Sequence, residues 1–303
     1  MAVNLYNIKK WFKMLNGTSV LHVNQNMGTL FIPGEIRGYF NNLTEKVIKE
    51  PILLENDQLP RFKTENGQEI IFPVAVFQYG LGAYDLYLKT KNQKYLFKFK
   101  QCVDWTIENQ ENSGAWSNFF YIYPDNPYGA MCQGEAISLL VRAFKEYKDE
   151  KYYNAAMVAA EFMITPVEKG GTLKVENGNY ILLEYTNKAA VLNGWIFALF
   201  GLYDLLLIDK TKAYEEIYKK SIDTLVNMIN LFDGGYWSLY DLDNTITSPF
   251  YHNLHIAQMH ALYIATGNEV FAYYEKRWSG QKNNAFKRKR AFIKKAFQKI
   301  IEK

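Results

Sequence analysis

The sequence predicts a mainly α-helical fold, an incomplete α/α toroid of repeated αα-hairpins with short β-hairpins at one face. Three observations predict it. Apolar residues recur at helical spacing along most of the chain, as at Ala136, Leu139, Leu140, Ala143, Phe144 and Tyr147. The periodic stretches are too long for strands, covering roughly 73–89, 94–109, 133–147, 152–164, 189–208, 212–231 and 253–265. Glycine turns recur between them at Ser113-Gly114-Ala115-Trp116, Gly170-Gly171-Thr172-Leu173 and Gly234-Gly235-Tyr236-Trp237, each followed by a short alternating stretch that could be a strand.

Each interval between glycine turns has room for two helices and a hairpin, which makes an αα unit. Arrays of such units curl so that inner helices are apolar all round and outer helices amphipathic. The stretch 189–208 fits an inner position and 212–231 an outer one. Residues 1–70 are less regular: Asn16-Gly17 and Asn66-Gly67 mark turns, and Lys63 to Phe72 suits a hairpin. The expected organisation is an N-terminal extension over 1–70 packed on the core, the toroid over 71–280, and a basic C-terminal helix over 281–303.

Composition narrows the function. About half of the 303 residues are apolar, enough for a large core, and 23 Tyr, 20 Phe and 6 Trp suit a groove for sugar rings. Two cysteines, Cys102 and Cys132, make no disulfide framework and are expected reduced in the core. The start Met1-Ala2-Val3-Asn4-Leu5-Tyr6 lacks the pattern of a secretory signal. The most apolar stretch, 189–208, holds Asn193, Asp204 and two glycines, so a buried helix is expected there and not a membrane span. A cytoplasmic location is the expectation. Net charge is +4, but residues 281–303 hold nine Lys and Arg against Glu302, a local +8, leaving −4 for the body.

Phosphate loops, GxGxxG, CxxC pairs and the GxSxG elbow are absent. His252, His255 and His260 lack the HExxH spacing and have no carboxylate among them, so no metal is expected. What remains are Tyr and carboxylate groups near helix starts: Glu184 with Tyr185, Tyr240 with Asp241, and Tyr251 with His252. They sit at corresponding ends of the hairpin units and so can converge on one mouth. A carboxylate and a Tyr hydroxyl on opposite faces of a uronate suit removal and return of the proton α to its carboxyl group. The enolate formed on the way needs hydrogen-bond donors.

At these residues the chain resembles the C-terminal catalytic region of the D-glucuronyl C5-epimerases. Similar blocks run in order: Gly38-Tyr39-Phe40-Asn41-Asn42-Leu43-Thr44, Phe72-Pro73-Val74 with Gln78-Tyr79-Gly80-Leu81, and Ala130-Met131-Cys132-Gln133-Gly134-Glu135-Ala136-Ile137-Ser138. Leu183-Glu184-Tyr185-Thr186, Val191-Leu192-Asn193-Gly194 and Gly201-Leu202-Tyr203-Asp204 follow. Leu239-Tyr240-Asp241-Leu242, Tyr251-His252-Asn253-Leu254-His255-Ile256 and Lys276-Arg277-Trp278 complete the series. Where the family often carries a basic residue near the Tyr-Asp-Leu block, this chain has Asp243, and the loop between Tyr240 and Tyr251 is short.

The resemblance implies an α/α toroid and inversion of C5 of glucuronate to iduronate within a heparosan-type or other uronate polymer. It implies Glu184 as one acid/base group, Tyr251 acting from the opposite face, and Tyr185 and Tyr240 lining the reacting centre. Trp116, Gln133, Asn193 and His255 are expected to bind substrate. No cofactor is expected. The expected partners are the acidic polysaccharide, a second copy of the chain, and a membrane surface or polyanion met through 281–303; nucleic acid is not among them. The competing readings are a polysaccharide lyase, which expels the 4-oxygen substituent from the same carbanion, a non-catalytic glycan-binding protein, and, behind these, a glycoside hydrolase, whose two flanking carboxylates would have to come from residues such as Glu135 or Asp241.

Overall fold

The computed structural model describes residues 22–64 and 66–301; the Asn16-Gly17 turn and the N-terminal stretch lie outside them. Two short helices open the described chain, α1 (Thr44–Ile48) and α2 (Pro51–Glu55), followed by a two-stranded antiparallel hairpin, β1 (Phe62–Lys63) and β2 (Glu69–Ile70). Four αα-hairpins come next. They are α3 (Pro73–Thr90) with α4 (Gln93–Glu108), α5 (Ala130–Tyr147) with α6 (Glu150–Ile164), α7 (Leu192–Leu206) with α8 (Lys212–Met228), and α9 (Pro249–Thr266) with α10 (Glu269–Asn283). A second antiparallel hairpin, β3 (Leu173–Glu176) and β4 (Asn179–Leu182), precedes α7, and α11 (Ala285–Ile301) closes the chain.

The fold is mainly α, as expected. The first helix of each pair packs on the first helix of the next, α3 on α5, α5 on α7 and α7 on α9, while each second helix packs on its own partner. That is the inner and outer arrangement of an incomplete α/α toroid. Burial sorts the two kinds: α7 buries 13 of its 15 residues, α8 only five of 17.

Three of the four hairpins share one turn. Lys91, Lys148 and Gly267 each end the inner helix in the left-handed region, at φ 59°, 56° and 69°. The next residue, Asn92, Asp149 or Asn268, caps the outer helix with its side chain on the backbone N–H two residues on. Two residues leave the helices no choice but to run antiparallel. With the longer 207–211 link of the fourth hairpin also joining neighbours, all inner helices start at the same end, and the long outer-to-inner connections gather there. Pro73 and Pro249 occupy the first turn of α3 and α9, where their missing N–H costs nothing.

Glycine sets the closest inner contact. A Cβ on Gly134 of α5 would lie 2.6 Å from the Ala198 Cα of α7, and one on Gly201 would lie 2.4 Å from the Gly134 carbonyl. Beneath this contact, Arg142 of α5 and Asp204 of α7 form a buried ion pair at 2.6 Å. Arg142 also donates to the carbonyls of Ser138, Arg37 and Gly38. The segment before α1 is thereby pinned to the ring, and Phe40 stacks on Phe200 of α7 at 4.0 Å. One hydrophobic core runs from Ile36 to Trp278, and it includes the free cysteines Cys102 and Cys132.

Two local expectations are corrected. Among the described residues only the Gly170-Gly171 turn leads into a strand pair; Gly114 opens a loop of turns, and Gly234-Gly235 leads only to isolated bridges, Asp233 with Ser238 and Leu239 with Ile246. Helix α10 was also not foreseen, because it buries just Phe271, Trp278 and Gln281, too few to mark a periodic face. No helix among the described residues is long and apolar enough to cross a membrane.

Replacing one partner of a buried pair leaves the other charge uncompensated. Asp204→Asn is expected to cost about 3–5 kcal/mol in urea unfolding, and the double change Arg142→Met with Asp204→Leu less than that. A double variant as unstable as the single one would remove the ion pair as the cause.

Candidate active site

Glu184 stands where β4 leaves its hairpin. The Leu183 carbonyl accepts from Ala130 N at 2.8 Å and the Leu183 N–H donates to Thr172 O at 3.0 Å, so the segment is pinned to the start of α5. Two glycines make room for it. A Cβ on Gly129 would lie 2.1 Å from the Glu184 carbonyl, and a Cβ on Gly194 would lie 2.2 Å from Glu184 Oε2. The glutamate side chain therefore lies against the first turn of α7 where only glycine fits.

Tyr240 reaches the same place from the connection before α9. Its carbonyl accepts from Leu192 N at 3.0 Å, and its N–H donates to Thr245 O at 2.6 Å. Tyr251 comes from the first turn of α9, which Ser248 caps by accepting from Tyr251 N. The Tyr240 and Tyr251 rings meet edge to face at 5.1 Å. Tyr185 stacks on Phe119 at 4.4 Å and meets Tyr123 edge-on at 5.8 Å. Four groups expected from the sequence, Glu184, Tyr185, Tyr240 and Tyr251, thus converge.

Electrostatics bind them further. Glu184 is 7 % exposed, and its Oε2 has no hydrogen-bond partner among the described residues. Burial raises its carboxyl to about 8. Burial also lifts Tyr185, Tyr240 and Tyr251 above the ordinary tyrosine value, and the Glu184 charge adds to each. At neutral pH the three hydroxyls are donors, and Glu184 is poised between acid and base.

The four residues expected to bind substrate are buried. Trp116 and Gln133 are fully buried and lock onto each other: Trp116 N donates to Gln133 Oε1 at 3.1 Å, and Gln133 Nε2 returns to Trp116 O at 3.2 Å. The Trp116 indole donates to Thr106 O at 2.9 Å. Together they fix the connection between α4 and α5. Asn193 is enclosed on α7, its carbonyl accepting from Gln258 Nε2 at 3.2 Å. His255 is enclosed beside Ser238 at 3.1 Å, and burial holds it neutral, well below the ordinary histidine value. Asn193 Oδ1 and His255 Nε2 have no hydrogen-bond partner among the described residues.

Lys188 and His22 were not foreseen as neighbours of the site, and Glu135 was not expected to couple to it. The Lys188 ammonium lies 2.5 Å from Tyr123 Oη and 5.0 Å from the centre of the Tyr185 ring, an exposed cation at the mouth. Its three-residue spacing from Tyr185 was the available signal. His22 meets the Tyr251 ring edge-on at 6.1 Å, joining from a segment with no periodic pattern. Glu135 is fully buried on α5, accepts from Gln78 Nε2 at 2.7 Å, and is raised to about 8 by burial, with the Glu184 charge adding to the shift. The histidines do not gather: His260 pairs with Glu275 at 2.9 Å, away from His252 and His255. Among the described residues no group of three metal-ligating side chains is present.

The family model described as D-glucuronyl C5-epimerase C-terminus matches residues 120–280, which include all four converging groups. The chain belongs to this family. It is 30% identical over 219 residues to the D-glucuronyl C5-epimerase of Caenorhabditis elegans, covering 63% of this chain and 36% of that protein. It is 34% identical over 156 residues to an uncharacterized protein of Methanocaldococcus jannaschii, covering 50% of this chain and 51% of that one. The chain thus spans about a third to a half of the length of these curated relatives. Among solved structures, a family 76 glycoside hydrolase from a bovine Bacteroides thetaiotaomicron strain overlays 75% of this chain and 54% of its own, with a TM-score of 0.49 and 14% identity.

A carboxyl raised on folding holds its proton more tightly folded than unfolded. The stability this confers is full below the ordinary value near 4.5 and is lost as pH rises through about 8. Glu184→Gln is expected to match the parent near pH 5 and to exceed it near pH 9 by up to about 4 kcal/mol, at about 1.4 kcal/mol per pH unit. The slope remains partial because Glu135 and Asp85, also raised by burial, are still present. Urea unfolding across this range, with equal slopes for parent and variant, would remove the raised carboxyl from Glu184.

Proposed function

We propose that the chain is a uronate C5-epimerase that inverts glucuronate residues to iduronate within an acidic polysaccharide of heparosan type. The observation that carries this reading is the enclosure of one carboxyl raised to about 8, Glu184, with the hydroxyl of Tyr251. Each suits one half of a two-sided proton transfer at a carbon next to a carboxyl group. Family membership supports the same reaction.

In the forward direction the ionised Glu184 takes the C5 proton from one face of the sugar. The electron pair passes into the uronate carboxyl group as an enolate. Tyr251 delivers its hydroxyl proton to C5 from the opposite face, leaving a tyrosinate, and proton return from the Glu184 carboxyl through solvent restores both. The hydroxyls of Tyr185 and Tyr240 supply donors for the enolate. Lys188, at the mouth beside Tyr185, is the cation for the substrate carboxylate, in the part played in family patterns by the basic residue this chain replaces with Asp243. No cofactor enters the scheme.

Incubation with heparosan and its N-sulfated form in deuterated water tests the reading. Deuterium is expected at C5, with iduronate appearing and no new absorbance from an unsaturated uronate. Glu184→Gln and Tyr251→Phe are each expected to lower exchange by about 10²–10⁴-fold. Unsaturated product in place of exchange makes the protein a lyase. Binding without exchange in the parent makes it a glycan-binding protein.

A further inference from the structure

Helix α11 is held to the body by one narrow side. Ala291 is 2 % exposed against Trp237, Leu239 and Ile246. Gln298 accepts from Ile246 N at 2.9 Å and donates to Asn244 O at 3.1 Å. These contacts fall on the connection that carries Tyr240. The helix therefore lies beside the active-site mouth, over the loop that forms part of it.

The opposite side is apolar and turned outward. Phe286 is 86 % exposed, Ile293 54 % and Phe297 58 %. Spacings of seven and four residues align these three along one stripe of a helix with 3.6 residues per turn. Basic residues border it. Arg290 and Lys294 follow one edge, and Arg288 lies beyond Phe292 on the other; Lys289 lies within the stripe, on a stem long enough to carry its charge outward. Shallow grooves lie on either side of Ile293, one with Arg288, Lys289 and Phe292, the other with Arg290, Lys294 and Phe297. Arg288 donates to the Lys282 carbonyl and Arg290 lies 4.0 Å over the Tyr236 ring. Neither contact removes a charge, and among the described residues no carboxylate pairs with any of the four cations.

We infer that α11 docks the protein on the surface of an anionic lipid bilayer, with Phe286, Ile293 and Phe297 sunk to the level of the acyl boundary and the flanking cations on the headgroup phosphates. An outward apolar stripe between basic margins is the arrangement that lies in a membrane interface. A free polyanion would need no apolar stripe dividing its cations. A second copy would set one +8 segment against another. The inference is independent of the reaction proposed above; it places the mouth beside the bilayer, where a polymer held by a lipid would pass.

Flotation of the full chain tests this with phosphatidylcholine vesicles and with vesicles holding 30% phosphatidylglycerol, an amount set by the assay, on the order of what makes a surface strongly negative. Binding is expected to the anionic vesicles alone and to weaken at high salt, where screening shortens to about 3 Å at 1 M. Each Lys or Arg near such a surface contributes about five-fold, the equivalent of about 1 kcal/mol. Neutralising Arg288, Lys289, Arg290 and Lys294 to Gln is expected to weaken binding by at least about 100-fold. Phe286→Ser with Phe297→Ser should also release the protein, and because both side chains are exposed the melting temperature should not move. Equal binding to neutral vesicles, or no binding to anionic ones, overturns the inference. So do retention on heparosan lost with the same cations while vesicles stay bare, and self-association in sedimentation abolished by the Phe changes under the same condition.

Discussion

The two-residue turn between inner and outer helices governs the rest of this fold. A left-handed residue followed by an Asn or Asp cap recurs at Lys91-Asn92, Lys148-Asp149 and Gly267-Asn268. It is too short for any connection but an antiparallel one. Inner helices then share a direction, and every long connection must cross at the other end. Nothing in a single hairpin makes a site. Convergence of Glu184, Tyr240 and Tyr251 follows from repeating the antiparallel hairpin, through this turn in three cases and a longer link over 207–211 in the fourth, since each sits in or beside a long connection delivered to the same rim.

The site itself depends on burial without neutralisation. Among the described residues Glu184 keeps an oxygen without a hydrogen-bond partner, and Glu135 keeps another. Proteins seldom leave buried carboxyls so, because desolvation favours the protonated form at the expense of the charge. The arrangement is tolerable because both side chains are neutral through much of the physiological range. The same condition gives a base stronger than an ordinary glutamate once its proton leaves. Gly194 holds the geometry by contributing no side chain where the carboxyl rests.

Much of this was legible in the sequence. The 3.6-residue period marked seven of the helices, and α7, apolar on every side, could be assigned to the inner ring. That Glu184, Tyr185, Tyr240 and Tyr251 come together could be anticipated because position near the start of an inner helix is a local property. The burial of Trp116, Gln133, Asn193 and His255 was not legible, because a local pattern cannot tell a residue that lines a rim from one enclosed behind it. The shared turn went unnoticed because Lys91 and Lys148 adopt the left-handed region without being glycine. His22 belongs to the site through tertiary placement alone, which no spacing along the chain encodes, whereas Lys188 lies three residues past Tyr185 and was passed over because a lone lysine marks nothing by itself.

Arg142 has a consequence beyond its ion pair. Its guanidinium gathers Asp204 from α7 and the carbonyls of Arg37 and Gly38 from the start of the described chain. Residues 120–280 are the span that the family model matches, yet one of their most deeply enclosed cations is completed by atoms some eighty residues upstream of that span. The span that the family model matches is therefore smaller than the body that folds. An excised 120–280 fragment would expose a charge built to be enclosed, and grafting it onto another scaffold would have to bring the Arg37–Gly38 strap with it.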